Sequence, residues 1–360
     1  MKILIVQDRL RSGGTERQSI LLANAFSSAG HETTLLTFRP GGALASTVAP
    51  GVTRRILQPF DTGMDWFAPR LYRTIAATTP NVILCMGRMA NCYAGGLQER
   101  FPNKTVIATM RTGKKLPRLF RRSLGIVRHV VSNSHDAKKT LMTQYAVAGE
   151  KISVIHNSLV FPPAPTAATR EQLRAKHGAT ANTVVLLCVA MFRPEKNQRE
   201  LIELAARLPA DLDWQLWLGG DGPARAACET LATHKNLGTR VKFLGWQSDP
   251  APLYAAADIA VHASWSESLS NFLIEAQASG LPIVAYDAQG IAESFVPGET
   301  GFVIARDDRA AFCAILAALA QAPAVERATR SEHAHAYARE TFDHDRQVAR
   351  YLELLVHLRR

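Results

Sequence analysis

Two carboxylates eight positions apart, Glu267 and Glu275, sit in the densest run of polar chemistry in the chain, Ser266-Glu267-Ser268-Leu269-Ser270-Asn271-Phe272-Leu273-Ile274-Glu275-Ala276. If a helix starts near Ser270, Glu267 lies in the loop before it and Glu275 lies about one and a half turns inside. The helix start between them offers free backbone N–H groups to a phosphate. Carboxylates on either side of an anion site are placed to accept hydrogen bonds from sugar and ribose hydroxyls. A capping carboxylate and a solvated helix-face charge explain the pair equally simply. Further upstream, Arg193-Pro194-Glu195-Lys196-Asn197 follows the apolar run Val184–Val189 directly. Two fixed cations beyond a strand end suit a phosphate, and Pro194 stiffens their loop; solvated loop charges are the alternative. Gly219-Gly220-Asp221-Gly222-Pro223 follows the next strand and reads mainly as a sharp bend before a helix. Gly13-Gly14-Thr15-Glu16 is not a G-x-G-x-x-G fingerprint, but two glycines opening a helix allow close approach of N–H groups to an anion.

Strands and helices must position these groups. In the first half, Ile3–Val6, Thr33–Phe38, Val82–Met86, Thr105–Thr109, Val127–Ser132 and Ile152–Ile155 read as short apolar strands. An amphipathic stretch from Glu16 ends at Gly30 in the manner of a C-cap. Ser134 is placed to cap a helix running through Tyr145. Pro162-Pro163-Ala164-Pro165-Thr166-Ala167-Ala168-Thr169 lacks periodicity and reads as a linker. The alternation then restarts at Val184–Val189 and continues through Gln215–Leu218, Val241–Leu244, Ile259–Ala263, Pro282–Tyr286 and Gly301–Val303. Short strands separated by helices predict parallel sheets covered on both faces. The expected fold class is therefore α/β, with two doubly wound, Rossmann-like domains facing a cleft. Residues 1–163 form the first domain, 164–340 the second, and 341–360 a C-terminal helix packing back on the first.

At 360 residues the chain fits about two domains. Its 47% hydrophobic and 20% charged composition excludes a mainly disordered protein. The longest apolar run, Val184 to Phe192, is half the length of a bilayer span. The N-terminal apolar run is too short for a signal peptide, so a cytoplasmic protein is expected. The five cysteines lack any C-x-x-C spacing and read as small buried hydrophobes rather than metal ligands. Residues 1–163 hold 22 basic and 8 acidic residues, 22 − 8 = +14, and the remainder holds 20 and 23, or −3. The excess peaks between Glu99 and Asp136, where no acid interrupts Lys104, Arg111, Lys114, Lys115, Arg118, Arg121, Arg122 and Arg128. One domain is thus expected to meet something anionic. In Lys114-Lys115-Leu116-Pro117-Arg118-Leu119-Phe120-Arg121-Arg122, cations alternate with Leu116, Leu119 and Phe120. That reads either as a segment docking on an anionic membrane or lipid-diphosphate acceptor, or as a core helix with solvated cations.

Taken in order, Ala190–Asn197, Leu218–Pro223, Val241–Trp246, Ser266–Ala276, Ala278–Ala285 and Gly298–Gly301 resemble the motifs of GT-B glycosyltransferases of family 4. Gly13–Arg17, Ala29–Glu32 and Ile155–Ser158 are similar to that family's first-half segments. The resemblance implies a retaining, metal-independent transferase that moves a sugar from a nucleotide diphosphate donor. It assigns catalytic roles to Arg193, Lys196 and Glu267, with both cations on the diphosphate and Glu267 on donor sugar hydroxyls. Glu275 would hold the ribose, Gly245-Trp246 would read the base, and Ser270 and Asn271 would supply amides. Gly13 and Gly14 would complete the diphosphate site from the first domain. Three departures stand out. Met191 occupies the place of the family's usual arginine, so that Arg193 lies three residues before Lys196 instead of five. Arg111 stands where a histidine is common, as a cation for donor or acceptor phosphate. Ser158 replaces a glycine.

The expected activity is transfer of a sugar to a glycan or lipid-linked acceptor, in cell-surface polysaccharide or lipopolysaccharide synthesis, by a cytoplasmic protein peripheral to the inner face of the cell membrane. Co-substrates are the only small molecules expected, with no cofactor and no metal. A nucleotide-sugar epimerase on the same scaffold is the alternative enzyme. A basic membrane- or nucleic-acid-binding protein leaves Arg193, Lys196, Glu267 and Glu275 unexplained, and no nucleic-acid module is recognisable.

Overall fold

The computed structural model describes residues 1–161 and 166–359. Pro162–Pro165 of the expected linker, with the expected boundary at 163, lie outside the described residues. The chain divides into two units, Met1–Ser158 with His344–Arg360, and Leu159–Asp343.

The first unit runs β1 (Lys2–Gln7), α1 (Gly14–Ser28), β2 (Glu32–Thr37), β3 (Thr53–Ile56), α2 (Leu71–Thr78), β4 (Val82–Cys85) and α3 (Arg88–Arg100). It continues through β5 (Thr105–Met110), α4 (Arg118–Ile126), β6 (His129–Ser132), α5 (His135–Tyr145) and β7 (Ile152–Val154). Its seven strands are parallel in the order β3-β2-β1-β4-β5-β6-β7, so the winding reverses between β1 and β4. Along β1, Ile3 and Ile5 join one core with Ile20 and Phe26 of α1, and Leu4 and Val6 join the other with Ala94 of α3 and Phe120 of α4. That is the two-residue alternation of a strand buried on both faces. Ser134 caps α5, its hydroxyl accepting from the Ala137 N–H at 3.0 Å.

The second unit runs α6 (Ala167–Lys176), β8 (Val184–Val189), α7 (Gln198–Ala205), β9 (Trp214–Gly219), α8 (Arg225–His234), β10 (Val241–Gly245) and α9 (Ala251–Ala256). It continues through β11 (Ile259–His262), α10 (Asn271–Ala278), β12 (Ile283–Tyr286), β13 (Gly301–Ile304), α11 (Arg309–Gln321) and α12 (Ala324–Phe342). Six parallel strands lie in the order β10-β9-β8-β11-β12-β13, reversing between β8 and β11. The last helix, α13 (His344–His357), belongs to the first unit, where Tyr351 and Leu355 are fully buried beside Ile3 and Phe26. Two buried side chains of that size contribute about 3–6 kcal/mol to holding it there.

The structure corrects several local expectations. Ala167–Thr169, read as linker, begins α6, with the Thr166 hydroxyl accepting from the Thr169 N–H at 3.2 Å. The helix expected from Glu16 starts at Gly14, and the C-terminal helix expected over 341–360 spans His344–His357. Strand β3 escaped detection because all four of its residues are exposed at a sheet edge, which leaves no alternation to read. Most consequentially, Leu116 and Phe120 are in the core at 2% and 1% exposure, and only Leu119 faces out. Two of the segment's three apolar side chains are therefore unavailable to a membrane. Among the described residues no single helix is long and apolar enough to cross one.

Candidate active site

The reversal of a doubly wound sheet leaves a crevice beyond its C-terminal strand ends, where the loops on either side part in opposite directions. In the second unit that position lies after β8 and β11. After β8, the chain passes Ala190–Phe192 and makes a single turn, Pro194–Lys196, with proline at its first position. The Gly219–Pro223 loop locks this segment: the Phe192 N–H donates to the Asp221 carbonyl at 2.9 Å. Gly220 and Gly222 have φ of +130° and +149°, and a Cβ on either would stand 2.1 Å from the Ala190 oxygen or 2.5 Å from the Phe192 oxygen. Only glycine fits there. The loop after β11 is tied to the same turn, since the Ser264 hydroxyl and the Trp265 N–H both donate to the Glu195 carbonyl, at 2.8 and 3.1 Å.

This stitching brings Lys196 against Glu267, whose carboxylate is buried to 8% exposure. The Lys196 Nζ and His262 Nε2 both meet Glu267 Oε1, the second at 3.1 Å. Its other oxygen is engaged by neither. Burial alone raises the carboxyl pKa, but the Lys196 ammonium, followed by His262, outweighs it and holds Glu267 down to about 2. Buried Nδ1 of His262 has no hydrogen-bond partner among the described residues. Because a carboxylate oxygen only accepts, Nε2 carries the hydrogen in the bond to Glu267. The His262 ring stacks on Phe272, 6.2 Å away at 17°, and Phe272 on Tyr254, 6.0 Å away at 27°. The Tyr254 hydroxyl donates to Glu275 Oε2 at 2.5 Å. One stack of rings therefore links the surroundings of the two carboxylates picked out in the sequence. His262 was not: a lone histidine in an apolar strand gives no signal until its neighbour is known.

Of the other residues expected at a donor site, Ser270 is the N-cap of α10 and Asn271 its first residue, and the Ser270 side chain makes no capping bond. Arg193 is half-buried and forms no ion pair among the described residues. The Gly245 carbonyl accepts from the Gly220 N–H at 2.7 Å, and Trp246 follows β10 at 53% exposure.

In the first unit, Gly13 caps α1, and a Cβ there would come within 2.5 Å of Glu16 Oε2. The helix's own carboxylate thus covers its start, and an anion at Gly13 and Gly14 must displace it. Arg111, after β5, donates to Asn157 Oδ1 at 2.5 Å and to the Tyr351 hydroxyl of α13 at 2.6 Å. This cation is tied into the attachment of the last helix. Asp8, just past β1 at the first unit's own reversal, was missed by the sequence reading although it follows the first apolar run directly. It accepts from the Met89 and Ala90 N–H groups of α3 at 3.0 and 2.8 Å. Burial pushes its pKa up to about 6 against those bonds.

Comparison with known proteins places both units. Residues 169–340 match the family described as Glycosyl transferases group 1, and residues 12–159 match Glycosyltransferase Family 4. The chain is 37% identical over 139 residues to the lipopolysaccharide core biosynthesis glycosyltransferase LpsE of Rhizobium meliloti, a stretch covering 39% of this chain and 40% of that one. It is 29% identical over 220 residues to the D-inositol 3-phosphate glycosyltransferase of Mycobacterium avium, covering 58% and 50%. The chain thus spans about half or less of the length of these curated relatives. Among solved structures it is similar to Anabaena Alr3699/HepE in complex with UDP-glucose, with a TM-score of 0.84 at 22% identity over 99% of this chain and 100% of that one.

Proposed function

The chain belongs to glycosyltransferase family 4, with the GT-B fold, and from that premise we propose that it transfers a sugar, with retention, from a nucleoside diphosphate sugar to a glycan or lipid-linked acceptor. The observation that carries this reading is the ion cluster at the second reversal, where a fixed cation and an ionised carboxylate stand just before the N-terminus of α10. As the bond from the sugar to the diphosphate breaks, negative charge grows on the departing phosphate. Lys196, Arg193 and the first amides of α10 are groups that stabilise such charge without reorganising, and they can do so with no metal ion. Glu267, held ionised, has an oxygen for donor-sugar hydroxyls, and Glu275 is assigned to the ribose. Gly245 and Trp246 are assigned to the base, and Arg111, Gly13 and Gly14 to phosphate from the first unit. HepE's complex with UDP-glucose supports a nucleotide-sugar donor, and LpsE's name supports a cell-surface glycan as the product class.

A thermal-shift panel of UDP, GDP, ADP and dTDP sugars tests the donor. A ligand at about 100 times its Kd stabilises by about 2.7 kcal/mol. The sugar nucleotide that shifts the melt should stay unconverted until acceptor is added. Conversion to an epimer without acceptor, or no shift with any member, overturns the reading.

A further inference from the structure

The loop from Leu57 to Arg70, between β3 and α2, has no regular secondary structure, yet it is anchored from beneath. Buried Gln58 donates to the carbonyls of Met64 and Phe67, at 2.9 and 2.6 Å, and accepts from the Thr62 hydroxyl at 2.8 Å. Arg39, itself 7% exposed, pairs with Asp61 and Asp65 at 2.7 and 2.6 Å. Arg9 and Arg11 pair with the same two carboxylates, at 3.1 and 2.7 Å. The Tyr93 hydroxyl of α3 donates to the Trp66 carbonyl at 2.6 Å. These bonds draw the polar groups inward and hold the large apolar ones out. Phe60 is 70% exposed and Trp66 58%, and Met64, Phe67 and Tyr72 are exposed with them. Single exposed hydrophobes are ordinary; five within thirteen positions, four on a fixed loop and Tyr72 at the start of α2, are not.

The loop continues into a cationic layer. The Tyr72 hydroxyl lies against Gly96 of α3, where a Cβ would come within 2.7 Å of it, and the neighbouring Gly95 packs on Ser123 of α4. Leu119 of α4 is 63% exposed on that layer. Helices α2 to α4 carry Arg73, Arg88, Arg100, Arg118, Arg121 and Arg122 against one acid. The single acid, Glu99, lies 3.5 Å from Arg122.

We propose that this face of the first unit docks on an anionic lipid bilayer, with Phe60, Trp66 and Tyr72 at the boundary between headgroups and acyl chains and the cations of α2 to α4 over the headgroups. Trp and Tyr rings favour that boundary, and Lys and Arg are drawn to acidic lipid. Exposed Ile56, Met64 and Leu119 fit acyl chains and offer nothing to stacked bases, so the bilayer is favoured over nucleic acid. The apolar anchor is the loop, and not Leu116 and Phe120, which the core has taken. The inference extends the proposed function by naming the surface from which a lipid-linked acceptor would be met.

Co-sedimentation with vesicles of phosphatidylcholine, alone or with about one third phosphatidylglycerol, tests it. Pelleting should need the acidic lipid and weaken with salt. Phe60→Ser with Trp66→Ser should lower partitioning about tenfold, and Arg118, Arg121 and Arg122 changed to Ser about a hundredfold. A spin-labelled lipid should quench wild-type tryptophan fluorescence, and Trp66→Phe should remove most of that quenching. Equal pelleting with neutral vesicles, wild-type binding by the double aromatic variant, quenching that survives Trp66→Phe, or retention on polyuridylate instead of vesicles each overturns the proposal. The melt shift by the nucleotide sugar, read on the same preparations, tells its failure from failure of the donor site.

Discussion

The two reversals of the sheets, β1/β4 in the first unit and β8/β11 in the second, share a topology and each buries a carboxylate, but their electrostatics are opposite. Glu267 is held at about 2 and Asp8 is raised to about 6. Burial pushes both the same way. The difference is the counter-charge: Glu267 has the Lys196 ammonium, whereas Asp8 accepts from two N–H groups of α3 and feels Asp65 and Glu16 as like charges. A strand end in this fold is a neutral scaffold. Which side chain the neighbouring loop brings to it decides whether the carboxyl is a fixed anion or a group that titrates close to physiological pH.

Removing the cation tests that comparison most severely. Lys196→Ala should lower kcat by about a hundredfold or more, because the charge lost faces the departing phosphate. It also leaves Glu267 buried and unpaired by an ammonium, which costs on the order of 3–5 kcal/mol of stability at neutral pH. The cost should shrink as the pH falls and Glu267 takes up a proton, so that the second reversal comes to behave like the first. Steady-state kinetics and melts at pH 5 and 7 check both parts, and near-normal turnover would place the phosphate elsewhere.

Asp8 tests the other side. Its folded pKa of about 6 lies above the ordinary 3.8, so the folded state holds a proton that the unfolded chain releases in that window. Its penalty is absent below the lower value and complete above the upper one, up to about 3 kcal/mol. Stability of the first unit should therefore fall as pH rises from about 4 to 6.5, and Asp8→Asn should flatten that slope. A wild-type slope persisting in the variant assigns it to another group.

Smaller effects belong to the ring stack. Glu275→Ala should weaken nucleoside diphosphate binding about tenfold in calorimetry, the loss of a charge-assisted hydrogen bond. Tyr254→Phe keeps the stack and removes one hydroxyl, so about threefold weaker binding is expected. Unchanged affinity in the Glu275 variant removes it from the ribose site.

Much of the scaffold was legible beforehand because it rests on local rules. Alternating apolar strands and helical stretches specify parallel sheets, and Ser134 announces the start of α5. Gly220 and Gly222 were read as a bend, but what demands them is the carbonyls of Ala190 and Phe192, some thirty residues away in sequence. Edge strand β3 and helix α6 were lost because an exposed strand has no burial pattern and an alanine-rich turn after prolines has no apolar stripe.

The sequence by itself determined the fold class, the two-part organisation of sheets, and the residues whose chemistry suits a phosphate and hydroxyls, because periodicity, capping and motif spacing are properties of neighbouring residues. Only the tertiary structure decided which of them meet. Helical periodicity places Leu116 and Phe120 on one side and Leu119 on another, but which side is buried depends on what packs there. His262 becomes a partner of Glu267, Arg39 the clamp on Asp61 and Asp65, and Tyr351 the partner of Arg111 across 240 positions of chain. Each of these contacts closes a loop of chain, and burial decides its energetic weight.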